Sequence, residues 1–198
     1  MKKFELTTEF ITNMFGKKLF RIKALVEFGN VKAGELGGYV EKEENVSQDG
    51  NAWVSGDARV SGDARVYGDA RVYGDAEVSG NAEVSGNAWV YGNARVSGNA
   101  EVSGNAWVSG NARVYGDAWV SGDADYALVQ GFGTEFRCTT FYRGKNKKIM
   151  VNCGCFHGDL EGFRKQVKET RNGKIAKEYL MIADLMEYHF TSEDSSNE

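Results

Sequence analysis

The sequence predicts a mainly β protein built around a single-stranded, three-sided parallel β-helix, and three observations predict it. From Gly50 to Asp125 the chain repeats one six-residue unit without a slip, GNAWVS, GDARVS, GDARVY and so on. Ala recurs every six residues from Ala52 to Ala124, and Val from Val54 to Val120. The 198 residues contain 25 glycines and no proline, which fits a chain that turns sharply and often rather than a collagen or a proline-rich linker.

Each unit reads as one short strand and one corner. Ala and Val are two apart, so on a strand they share a side and point inward. Val suits a buried strand through its β-branching, and small Ala leaves room where walls converge. Gly followed by Asp or Asn is turn chemistry, with glycine supplying positive φ. Three strands close an 18-residue coil, so the 76 repeat residues predict about four coils. At about 4.8 Å per coil the prism is roughly 20 Å tall. Each buried Val contributes on the order of 1.5–3 kcal/mol.

The 18-residue coil sorts the outward residues into three faces. The first carries Trp53, Arg71, Trp89 and Trp107, with Tyr73 and Tyr91 among the residues beside them. The second carries Arg59, Glu77, Arg95 and Arg113; the third carries Arg65, Glu83, Glu101 and Trp119. The first face is aromatic. Stacked rings on one flat side could be ordinary cross-strand packing. A contiguous apolar stripe more often marks contact, so Trp53, Arg71, Tyr73, Trp89, Tyr91 and Trp107 are expected to form an oligomer interface.

Residues 1–49 are less regular. Phe4, Leu6, Phe10, Ile11, Phe15, Leu19, Ile22, Leu25, Val26 and Phe28 suffice to plug an open prism end, so the segment is expected to be an N-terminal cap. Val40 and Val46 are six apart but two residues out of register with Val54, as an imperfect first turn would be. After Asp125 the period stops. Residues 134–143 and 148–155 read as strands about a turn at 144–147, followed by a helix from Asp159 and another from Lys174 to His189. Leu160, Phe163 and Val167 should face inward on the first helix, and Ile175, Tyr179, Ile182, Leu185 and Met186 on the second. Residues 126–190 are thus expected to form a small ββαα domain, and residues 191–198 a disordered tail.

Charge and composition bound the function. Net charge is −4, with 5 basic and 10 acidic residues in 50–125 against 11 and 7 in 126–190. That basic excess is too small to argue for duplex nucleic acid, and it would suit a small anion. Neither a signal-like start nor an apolar run near 18 residues is present, so neither export nor a membrane is expected. The three cysteines fit a reduced, cytoplasmic protein.

Two constellations in the C-terminal part could carry chemistry. Cys153, Cys155 and His157 share a face if they lie on one strand, and a hairpin folded about 145–146 puts Cys138 opposite Cys153. That is a possible Cys3His zinc set. The tight C-x-C spacing and the commonness of core thiols favour no metal, and no cofactor is expected. The second constellation is basic: Arg137, Thr139, Arg143, Lys148, Arg164, Lys165 and Lys168. It reads as a solvated surface or as a pocket for an anion, with Arg able to bond phosphate or carboxylate in pairs.

The V-x-G-D/N-A-x pattern of residues 50–125 resembles the hexapeptide-repeat family of left-handed β-helices. The resemblance implies the left hand and a homotrimer, and many members are acyltransferases. The stretch LFRIKALVEFGNVKAGELGGYVEKEENVSQDGNAWV resembles the cap of uncharacterised bacterial and bacteriophage proteins of this type. IMVNCGCFHGDLEGFRKQV resembles a module of phage-related ones. Those acyltransferases use a coil-edge histidine as general base, whereas this chain has only His157 and His189, both outside the repeat. Catalysis is therefore not expected and no catalytic residue is assigned. Ice binding is not expected either, because the repeat has no threonine. The expectation is an oligomeric binding protein, phage or prophage encoded and acting in the bacterial cytoplasm, that traps a small nucleotide-like anion. An acyltransferase and a structural adaptor are the alternatives.

Overall fold

A computed structural model describes residues 2–191, apart from the side chain of Asp123. The sequence expectation for residues 192–198 lies outside the described residues. The centre is a three-sided parallel β-helix of twelve two-residue rungs, from Trp53–Val54 to Trp119–Val120. Every repeat Ala from Ala52 to Ala118 and every repeat Val from Val54 to Val120 is fully buried. The rungs stack eighteen residues apart, Trp53 on Arg71 on Trp89 on Trp107, and likewise on the other two faces. At the corners only glycine takes positive φ, and the following Asp or Asn does not. Stacked corners almost touch: a Cβ on Gly86 would sit 2.9 Å from the amide nitrogen of Gly104. Glycine is therefore required there by both φ and space.

Outside the two-residue rungs themselves, the hydrogen bonds between coils run from the N–H groups of the earlier coil to the carbonyls of the later one. Asn51 N–H donates to Gly68 O, Trp53 to Ala70 O, Arg95 to Ala112 O, each at 2.9–3.0 Å. The first coil is consequently left with carbonyls facing outward, and the last coil with strand groups that have no following coil to pair with. The two caps fill these vacancies.

The N-terminal cap is a hairpin of β1 (Phe4–Thr12) and β2 (Lys18–Ala24), followed by β3 (Leu36–Val40). It extends the sheet of the second face: β3 lies parallel to Arg59–Val60, and β1 and β2 add outside it. Val40 pairs with Val60 and Val46 with Val66, twenty residues apart where the regular coils take eighteen. This longer coil is the imperfect first turn, and it brings the rod to about five rungs on the second face. Phe4, Leu19 and Ile22 are buried, but Phe10, Phe15 and Leu25 are exposed. Only part of the expected plug enters the core: Phe15 and Leu25 lie outside the two strands, and Phe10 follows a register shift in β1.

The C-terminal domain is larger in β content than expected. Its sheet has four antiparallel strands, β4 (Tyr126–Phe132), β5 (Arg137–Arg143), β6 (Ile149–Cys153) and β7 (Phe156–Asp159), before α1 (Leu160–Thr170) and α2 (Gly173–Thr191). So the domain is ββββαα rather than ββαα. The first strand follows a short 3-10 turn, Asp123–Asp125, whose Gly-Asp-Ala start reads as one more repeat, and the last is only four residues long. Asp159 caps α1 by accepting from Gly162 N–H at 2.9 Å. Leu160, Phe163 and Val167 pack inward as the helical spacing requires, against Tyr179, Ile182 and Met186 of α2. Leu185 instead faces solvent, and Ala183 and Phe190 take inward places. Among the described residues no helix is long and apolar enough to cross a membrane.

The sheet stands on the last coil of the rod. Odd residues of β5 face the helices, with Phe141 in their core, while even residues face the rod and Tyr142 joins the rod's core. Thr140 Oγ1 accepts from Arg113 N–H at 3.0 Å, and Asn152 Nδ2 donates to Arg113 O at 2.7 Å. Tyr142 donates to Tyr115 O at 3.1 Å. These side chains replace the coil that would otherwise come next.

Candidate anion-binding cleft

The seven basic and polar residues expected to form an anion site are not brought together. Thr139 is buried against the helices, its hydroxyl on Cys153 Sγ at 3.1 Å. Arg143 pairs with Asp125 at 2.9 Å and donates to Phe190 O. Lys148 pairs with Asp159 at 3.0 Å, and Arg164 holds both Asp184 and Glu187 at 2.7 Å across the two helices. Lys165 lies 3.9 Å from Glu169, and Lys168 shares that shallow hollow on α1 with Glu161 and Glu169. Carboxylates neutralise most of the set. Arg137 is different.

Arg137 stands at the start of β5, where the sheet meets the second face of the rod. It lines a cleft of about 550 Å³ together with Arg95 and Arg113 from the rod. Asn93, Asn111 and Gln130 supply amides, and no carboxylate is among the lining residues. Arg95 and Arg113 are register neighbours on consecutive coils. On this face Arg59 and Arg95 both pair with Glu77, at 3.5 and 3.4 Å, but the next coil offers a second arginine rather than an acid. Neither Arg113 nor Arg137 forms a salt bridge among the described residues. The main chain of Arg113 is clamped on both its N–H and its C=O by Thr140 and Asn152, so its side chain starts from a fixed point. The guanidinium of Arg137 lies against Gly154, where even a Cβ would collide with it.

The arrangement can bind but has little to react with. Burial pushes the Cys138 thiol up, which disfavours a thiolate beside the arginines, and its sulfur rests 3.5 Å from Asn111 O. His157 is occupied at the rod's end: its Nε2 is 3.1 Å from Tyr142 Oη, and its ring packs on Gly116. Burial also pushes Tyr142 up to about 12, so it stays a neutral phenol in that network.

The thiol and histidine set does not converge. The strand expected through 148–155 ends at Cys153, and Gly154–Cys155 form a tight turn, so Cys153 pairs with Phe156 and His157 with Asn152. The hairpin register pairs Thr139, not Cys138, with Cys153. A slip of one residue turns Cys138 to the opposite side of the sheet. Among the described residues no group of three or more His, Cys, Asp or Glu side chains could hold a metal.

The aromatic face is shorter than the repeat implies. Trp53 is 2 % exposed, covered by Phe4 and Phe28 at ring separations of 6.2 and 5.3 Å. Gly37 makes that cover possible, since a Cβ there would meet the Trp53 ring at 2.7 Å. Trp89 and Trp107 remain outside, stacked at 5.3 Å with an interplanar angle of 11°, beside Tyr73 and Tyr91 stacked at 5.0 Å. Arg71 sits in register between Trp53 and Trp89.

Comparison with known proteins bears on the rod. Residues 64–79, 88–104, 94–110 and 106–122 match the YdcK beta solenoid repeat. The rod is a β-solenoid. The match lies wholly within the solenoid's repeats and reaches neither cap, so it speaks for architecture and not for activity. No curated protein matches the chain. The cleft draws four of its nine lining residues from the solenoid and five from the C-terminal domain, so a repeat pattern could not have revealed it whole. One signal was nevertheless visible: on the second face the alternation Arg59, Glu77, Arg95 breaks at Arg113.

Proposed function

We propose that this chain is a non-catalytic binding protein whose solenoid and C-terminal domain together hold a small anion, phosphate- or carboxylate-bearing, in the arginine cleft. The observation that carries the reading is three guanidinium groups on one cleft with no carboxylate lining it. Like charges one rung apart, Arg95 and Arg113, repel by up to about 3 kcal/mol at an effective dielectric near 20, and Glu77 on the far side of Arg95 offsets only part of this. An anion between them turns that repulsion into attraction, and guanidinium forks suit phosphate and carboxylate oxygens in pairs. The absence of any histidine or carboxylate from the lining supports binding over acyl transfer, which needs a base within reach of the substrate.

The fuller form of the proposal adds a setting and an assembly. The likeness of the caps to phage proteins supports a phage- or prophage-encoded protein in the bacterial cytoplasm, trapping a nucleotide-type signal. The exposed Trp89–Trp107 and Tyr73–Tyr91 stacks support self-association, with a homotrimer as the form the hexapeptide-repeat resemblance implies.

Two experiments test this. Titration calorimetry with pyrophosphate should show binding that weakens at least about tenfold in Arg113→Gln and in Arg137→Gln, the loss of about 1.4 kcal/mol from one charged contact. Unchanged affinity in both variants would refute the cleft. Light scattering on Trp89→Glu/Trp107→Glu should show dissociation to monomers with the β-rich circular dichroism retained. A wild-type protein that is monomeric, or a variant that stays assembled, removes the oligomer from the proposal and leaves the cleft.

A further inference from the structure

We infer that the ligand of the arginine cleft continues past Arg137 into a second chamber that accepts a planar ring, so that the whole ligand is a nucleoside monophosphate or a molecule of that shape. The inference rests on the anion reading above. The chamber is a cavity of about 270 Å³ between the sheet and the two helices. Arg137 and Cys155 line both it and the cleft, so the two spaces are neighbours divided by one guanidinium.

The chemistry changes across that divide. On the rod side the walls are arginines and amides. On the helix side they are the rings of Phe156, Phe163 and Tyr179. Phe163 stands edge-on to Tyr179 at 5.9 Å and 89°, and Phe156 is tilted against Phe163 at 5.6 Å. Phe163 and Tyr179 are core residues, 3 % and 8 % exposed, so the chamber's floor is rigid and apolar. Tyr179 is fixed further by its hydroxyl, which donates to Phe132 O at 3.3 Å, and by the close passage of Gly133 over its ring.

The rim is polar. Glu135 and Arg171 both line the chamber, and neither is in a salt bridge among the described residues. A carboxylate only accepts hydrogen bonds and a guanidinium only donates them. A heterocycle whose edge carries both donors and acceptors can satisfy both, whereas a plain hydrocarbon ring cannot. Guanine presents adjacent N–H donors to a carboxylate, so Glu135 favours it over other bases. Arg137 between the chambers is placed to bond the anionic group while its flat face borders the ring. Together the two spaces reach the roughly 300–1,000 Å³ typical of small-molecule sites. The cleft alone holds no aromatic side chain.

The test is calorimetry on the full chain with pyrophosphate, guanosine, GMP, AMP and UMP. GMP should bind at least about tenfold more tightly than pyrophosphate or guanosine. Thr170→Trp fills the chamber from an exposed position at the end of α1 and should bring GMP down to the affinity of pyrophosphate while leaving pyrophosphate unchanged. Gln166→Trp, one turn earlier, repeats the test should the first variant melt below the wild type. Arg113→Gln should weaken pyrophosphate and GMP alike. The inference is overturned if none of the three nucleotides binds more tightly than pyrophosphate, or if GMP affinity survives in a folded filled variant; the anion cleft then stands alone. Tightest binding by AMP or UMP keeps the ring chamber and overturns the role given to Glu135. If wild type binds neither pyrophosphate nor any nucleotide, the anion reading itself has failed.

Discussion

The two ends of the rod face the same problem and solve it with different mixtures of donors and acceptors. At the N-terminal end the outward groups include bare carbonyls, and the cap brings donors. The Lys3 ammonium lies within 3.0–3.5 Å of Asp49 O, Gly50 O and Ala52 O. The Asn45 amide donates to Gly62 O and Ala64 O at 3.1 and 2.8 Å. At the C-terminal end bare N–H groups must also be met, and beside the donors Asn152 and Tyr142 the cap brings acceptors. Thr140 takes Arg113 N–H, and the Asp125 carboxylate takes Ser121 and Gly122 N–H at 2.9 and 3.0 Å. The difference follows from the polarity of a parallel stack, in which a coil cannot be capped by a copy of itself. Each end of the rod therefore needs its own sequence, and the N-terminal cap keeps only Val40 and Val46 in the manner of the repeat.

The middle of the rod has no such fittings, and it should be the most sensitive region. Val84 is fully buried midway along the stack, where no water or counter-charge is available. Val84→Asp should cost on the order of 5 kcal/mol or more and leave little folded protein. Circular dichroism and solubility of the expressed variant measure this. A soluble, β-rich Val84→Asp protein would mean that the coils are far less cooperative than the continuous core implies.

Smaller losses compare the ends directly. Asn45→Leu leaves two carbonyls without a donor. Asn152→Leu leaves one carbonyl, that of Arg113, and removes a bond to Tyr142. Each buried group left unpaired costs about 1–3 kcal/mol, so the N-terminal variant should lose more stability in urea denaturation. The reverse order would show that the Tyr142 network holds the C-terminal cap as one unit. Asn152→Leu should also weaken pyrophosphate binding modestly, since it releases the clamp on Arg113, while Asn45→Leu should not.

What could be read from the chain divides along the same line. In the rod each residue's surroundings repeat every coil, so the identity of Ala58 or Val60 and its place in the period are enough to bury it. Even the face assignments follow from counting. In the caps the surroundings are made by distant segments. The turn before Tyr126, Asp123–Asp125, starts like one more repeat corner, and the two-residue turn at Gly154–Cys155 looks like continuing strand, so two strands of the sheet were hidden. A hairpin loop one residue different from the expected one moved Cys138 to the other side. Trp53 was assigned outward correctly by period, yet Phe4 and Phe28, about 25 to 50 residues earlier, cover it. The rod's part of the cleft was legible as the step from Arg95 to Arg113 with no acid between them, and the rest depends on where β5 lands on the rod.

The smallest effect concerns the charge at the N-terminal end. Burial, only partly offset by Asp49, lowers Lys3 to about 8. The side chain therefore sits between two demands: three carbonyls nearby that want a donor, and a site where the ammonium has lost its water. Linkage gives the sign. In the unfolded chain lysine holds its proton to about pH 10.4. Between pH 8 and that value the unfolded state binds a proton the folded state has released, so stability rises with pH across this window. Tyr142 acts in the opposite sense, but only above pH 10, where the unfolded chain ionises and the folded one, at about 12, does not. Urea midpoints of wild type and Lys3→Met between pH 7.5 and 9.5 isolate the lysine. Wild type should gain stability relative to Lys3→Met over that range, because methionine keeps much of the packing and has no proton to lose. A difference between the two that stays flat over that range would mean that the ammonium's bonds to Asp49, Gly50 and Ala52 offset its burial. Capping by a full charge would then be the stronger device, and the two ends would be more alike than their chemistry suggests, each closed by an ion on the main-chain groups of opposite polarity.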